Sequence, residues 1–171
     1  MRVHSIWCGR GLALALLLAA AMPAAAESVQ PTAPVAVNED VLTGTVKGFL
    51  PPDEVLLSTK LSSAAFTGFF RSASASTVAG YVSEPADIPS LQTGDVINLG
   101  RGHAGRAYAA IGAKWPAGSV IVVPVVAFEA GGRLGTVHGF ATLRIDKVQS
   151  KGNPKYVDAR IVALDPPTLG Q

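Results

Sequence analysis

Cysteine is nearly absent from this 171-residue chain; Cys8 is the only one. It lies ahead of an apolar run and not after it, so it is not placed as a lipidated cysteine would be. The sequence therefore predicts no disulfide and no thiolate metal site. Long apolar runs are scarce too. Gly11–Met22 is uncharged but shorter than the roughly 20 residues that cross a bilayer, and Val120–Phe128 is strand-length and interrupted by Pro124. Two further patterns are missing. The basic residues are scattered and form no patch with aromatics, which argues against nucleic-acid binding. No G-x-S-x-G elbow marks a serine hydrolase, and no internal repeat is present.

What is present at the start reads as an export signal. Arg2 and Arg10 give a positive segment, Gly11–Met22 an apolar one, Pro23 a break and Ala24-Ala25-Ala26 small residues for cleavage. Residues 1–26 are thus expected to be a signal peptide, removed near Ala26, leaving a periplasmic or extracellular protein that meets the membrane only during export. The chain holds 14 basic and 12 acidic residues. Loss of Arg2 and Arg10 leaves 12 of each, so the excess positive charge belongs to targeting. About 145 residues remain, one domain by size and enough to bury a core without cross-links.

The division expected after the signal is a flexible tether over 27–40, rich in proline and small polar residues, one domain over 41–166, and a tail over 167–171. Val, Ala, Gly, Ser and Thr dominate the domain, favouring strands and tight turns. Strands are expected over Val41–Leu50, Ala65–Arg71, Val96–Leu99, Ser119–Glu129, Thr136–Val148 and Lys155–Leu164. Glu54–Leu61 and Thr77–Ser83 are readable as strand or helix, and Ala104–Lys114 has helical character. Pro124 inside the most strand-like segment implies an edge or a bulge. In Thr136–Val148, Val137, Gly139, Ala141, Leu143 and Ile145 alternate with His138, Thr142, Arg144 and Asp146. The expected class is all-β or mainly β: a single antiparallel sandwich or partly open barrel with one or two short helices.

Candidate chemistry is sparse. Gly100-Arg101-Gly102-His103-Ala104-Gly105 has the G-x-G-x-x-G spacing between a strand and a helix, as a dinucleotide site would, with Glu129 placed as its ribose-binding acid. Against it stands the lack of strand–helix alternation along the chain. His103 and His138, the histidines that follow the signal, could serve a hydrolase or hold a metal with Asp95 or Glu129, although they form no local ligand pattern. Arg101, His103, Tyr108 and Trp115 are the candidate binding residues, the aromatics as stacking surfaces. No catalytic residue, metal ligand or cofactor is assigned.

Several segments taken together carry a resemblance. Gly68-Phe69-Phe70, Val78–Val82, Gly94-Asp95-Val96-Ile97 and Gly100-Arg101-Gly102 are followed by Val122-Val123-Pro124-Val125-Val126. His138-Gly139-Phe140-Ala141-Thr142-Leu143-Arg144-Ile145 and Gly152-Asn153-Pro154-Lys155-Tyr156-Val157 complete the set. In order and spacing, residues 66–162 resemble the C-terminal module of TadG-like Flp-pilus assembly proteins. This resemblance implies a non-catalytic interaction or structural module with a protein partner in the cell envelope, linked to pilus assembly or surface-protein export. It brings no catalytic residues. The chain departs from the family in having a cleavable signal where members carry a membrane segment, and Arg71 and serines where they carry acids.

Overall fold

A computed structural model describes residues 27–45, 49–50, 53–100 and 104–166. The expected signal peptide and the tail at 167–171 lie outside them. The chain is mainly β. Its elements are β1 (Val35–Asn38), α1 (Glu39–Leu42), β2 (Phe49–Leu50), β3 (Glu54–Leu57), β4 (Ala64–Phe69), α2 (Ala75–Ser83), β5 (Val96–Gly100), α3 (Ala104–Lys114), β6 (Val120–Phe128), β7 (Leu134–Gln149) and β8 (Tyr156–Asp165).

Five of the strands close on themselves. β1 pairs with β4, β4 with β5, β5 with β7, β7 with β6, and β6 with β1. Alternating directions cannot close a ring of five, so one pair must be parallel. That pair is β1–β6, joined at Val37↔Val125 and Asn38↔Val126. Beyond its short pairing with β5, the long β7 pairs from Phe140 onward with β8, which pairs with β3, and β3 with β2. The β6–β7–β8 run is the antiparallel meander that short turns predict.

Bulges steer side chains between two buried clusters. β6 sends Ile121, Val123 and Val125 into one cluster. Val126 enters the other by plain alternation, while the register slips between Val125 and Val126 because β7 carries one extra residue there, His138. Pro124 is itself in register opposite Phe140, and pairing with β1 starts only at Val125, so the strand proline sits ahead of the β1 ladder and not in the bulge. β7 keeps the expected alternation only beyond this bulge: Ala141, Leu143 and Ile145 enter the first cluster, whereas Val137 and Phe140 enter the second.

The N-terminal segment departs from expectation. Residues 27–40 are not a tether. All four residues of β1 are buried, with Val35 and Val37 in one cluster and Ala36 in the other. Val29 bridges Leu91 through two 2.8 Å backbone hydrogen bonds, and Thr32 Oγ1 accepts from the Val122 N–H at 2.8 Å. A strand buried on both faces is apolar without alternation, and its prolines lie before the ladder. That combination reads as linker from composition alone. Val41–Leu50 is likewise not one strand. Asn38 caps the single-turn α1 by accepting from the Asp40 N–H, and β2 holds only Phe49–Leu50. The ambiguous segments resolve as strand at Glu54–Leu57 and helix at Ala75–Ser83, where Ser74 Oγ accepts from the Thr77 N–H at 3.2 Å.

Candidate functional site

The candidate binding aromatics are structural. Tyr108 is 2% exposed and Trp115 9%. Tyr108 meets Phe66 edge to face, and its hydroxyl accepts from the Thr59 N–H at 3.1 Å. Tyr108 on α3 and Trp115 just after it both face the core, so neither offers a stacking surface. Arg101 and His103 lie outside the described residues.

The dinucleotide reading requires β5 and β6 to be parallel neighbours. They are not paired: β7 stands between them. Gly100 has a packing reason instead, because a Cβ there would come 2.8 Å from the Ala73 carbonyl oxygen. The pairing of His138 with His103 cannot be followed, but His138 itself is engaged, its Nδ1 lying 2.6 Å from Glu39 Oε2 in the first turn of α1. Among the described residues no cluster of three histidine, cysteine, aspartate or glutamate side chains forms.

Two features stand out from the framework. The first is the end of β4. Phe69 has a φ of 54°, a left-handed conformation unusual for an aromatic. Three hydrogen bonds hold it there. The Phe69 N–H donates to Thr67 Oγ1 at 2.8 Å, Thr67 Oγ1 donates to the Asn98 carbonyl at 2.9 Å, and Asn98 Nδ2 donates to the Phe69 carbonyl at 3.1 Å. Gly68 is required in the same turn, since a Cβ would meet the Arg71 carbonyl oxygen at 2.4 Å. The outcome is that Phe69 is fully buried while Phe70 is 55% exposed. Strain of this kind costs about 1–3 kcal/mol and persists where the surroundings over-determine it.

Two more apolar side chains are exposed, on β5 and β7. Asn98 is opposite both Phe69 on β4 and Leu134 on β7, and Val96 is opposite Thr136. Val96 and Leu134 are therefore diagonal neighbours on one outward face. They are 47% and 37% exposed. Arg71 and Arg133, both exposed, flank them in sequence. Neither Phe70 nor Leu134 was singled out by sequence reasoning. The available signal was the Gly68-Phe69-Phe70 step: two adjacent aromatics in one strand must face opposite sides unless a turn intervenes.

The second feature is an apolar cleft of about 340 Å³ between α2 and α3. Val78, Ala79 and Val82 line it from α2, and Arg106, Ala107 and Ala110 from α3; Phe66 and Gly100 lie beneath. Lys114 Nζ donates to the Ser83 carbonyl at 3.2 Å, tying the two helices together at their C-terminal ends. No family model, curated protein or solved structure matches this chain.

Proposed function

We propose that the chain is an exported, non-catalytic interaction module of the cell envelope that docks a protein partner through Phe70, Val96 and Leu134. One observation carries the reading. The turn at Gly68–Arg71 accepts a strained backbone, and what it achieves is an aromatic side chain held in solvent on a rigid strand end. Exposed aromatics on a fixed support are what protein interfaces use as anchors, and a backbone already held in place loses little entropy on binding. Arg71 and Arg133 favour a partner surface carrying acidic groups. The likeness of residues 66–162 to TadG-like modules supports a partner in pilus assembly or surface-protein export, and the N-terminal pattern supports delivery across the membrane.

The test is a cell producing the Phe70→Ser, Leu134→Ser double variant in place of the natural chain. Normal abundance of the protein with loss of piliation, adhesion or surface-protein export supports the reading. Normal abundance with every one of those phenotypes intact sinks it.

A further inference from the structure

We propose that the cleft between α2 and α3 is a separate ligand site that takes the hydrocarbon chain of a fatty carboxylate, with Arg106 pairing to the carboxylate at the rim. The site is distinct from the Phe70 face and does not depend on its role. Its volume, about 340 Å³, falls in the range of small-molecule pockets. The space exists because the residues facing it are short. Ala79 sits across from Ala107 and Ala110, where leucines would close the two helices onto each other.

The chemistry of the walls selects the occupant. Among the described residues, the side chains lining the cleft carry no polar atom apart from Ser76 and Arg106. An entering peptide would find few side-chain partners for its amides, at a cost of about 1–3 kcal/mol for each left unpaired. An alkyl chain brings no such groups and gains from every methylene removed from water. Arg106 supplies the other half. It is exposed, and among the described residues it is the only charged side chain lining the cleft and no ion pair engages it. Its guanidinium matches a carboxylate in charge and geometry. Its position in the first turn of α3, near the positive end of that helix, favours an anion further.

The experiment is calorimetric titration of the purified protein with dodecanoate below its micellar concentration, with dodecanol as the uncharged control. Saturable one-to-one binding of dodecanoate is expected. Arg106→Gln should weaken it by about tenfold or more, the loss of one charge-assisted contact, while leaving dodecanol binding unchanged. Ala79→Trp, at an exposed helix position, should block both probes with the far-UV spectrum intact. Phe70→Ser should change neither, which separates this site from the docking face. Absence of dodecanoate binding, or binding that both cleft variants leave intact, overturns the proposal. Equal effects of Arg106→Gln on the acid and the alcohol overturn the role of the guanidinium.

Discussion

The rings of Phe66 and Tyr108 meet edge to face, their centroids 5.1 Å apart and their planes at 68°. This contact joins β4 to α3, and the Tyr108 hydroxyl adds a hydrogen bond from the Thr59 N–H. Tyr108→Phe keeps the ring pair and leaves that N–H without its partner, a loss of about 1–2 kcal/mol. Tyr108→Ala removes the ring as well and should cost about 3–5 kcal/mol. Urea denaturation of the two variants checks the order. A stability equal to that of the natural chain in both would return Tyr108 to the surface role that its residue type first suggested.

Neighbouring phenylalanines at the end of β4 should behave oppositely. Phe69 is fully buried and Phe70 is 55% exposed. Phe69→Ala is expected to destabilise by about 3–5 kcal/mol, whereas Phe70→Ser should stay within about 0.5 kcal/mol. Thermal unfolding distinguishes them directly. A large loss from Phe70→Ser would mean that the side chain supports the fold and is not held out for a partner.

Glu54 gives a pH dependence with a definite sign. It faces Arg160 across the β3–β8 pair and lies diagonal to Asp158, which is opposite Leu56. The negative charge of Asp158, with smaller contributions from desolvation and a hydrogen bond to Asp158, raises the Glu54 carboxyl above its ordinary range. A carboxyl raised by folding favours the folded state while protonated. Its contribution is complete below the unfolded value, near 4.5, and is lost as pH rises through the folded one. Glu54→Gln removes the repulsion and should unfold at a higher temperature than the natural chain at pH 7. The gap should close as the pH falls below the range in which Glu54 ionises, where its carboxyl is neutral like the glutamine that replaces it. A gap that is constant with pH would show that charge is not its cause.

The segment before Asp40 should be indispensable. A chain starting at Asp40 lacks β1, and with it the strand that closes the five-membered ring and enters both buried clusters. It should lose the cooperative transition in circular dichroism and fluorescence. A chain starting at Glu27 keeps every described element and should unfold in one step. A cooperative transition of undiminished midpoint in the shorter chain would restore 27–40 to the status of a tether.

Local pattern by itself determined much of this molecule. The alternation in Thr136–Val148, the valine-rich Ser119–Glu129 and the helical Ala104–Lys114 correspond to β7, β6 and α3, because burial on one face imprints a period that composition carries. Pro124 announced a place where β6 lacks a second ladder, since pairing with β1 begins only at Val125. Only the tertiary structure decided the rest. β1 is buried on both faces and so has no period to read. Tyr108 and Trp115 are residue types that can stack on a ligand or fill a core, and only the packing of α3 and the residue after it shows them buried. Phe70 and Phe69 are the same residue type in adjacent positions, and it is the hydrogen bonding of Thr67 and Asn98 around one left-handed backbone that sends one inside and the other to solvent.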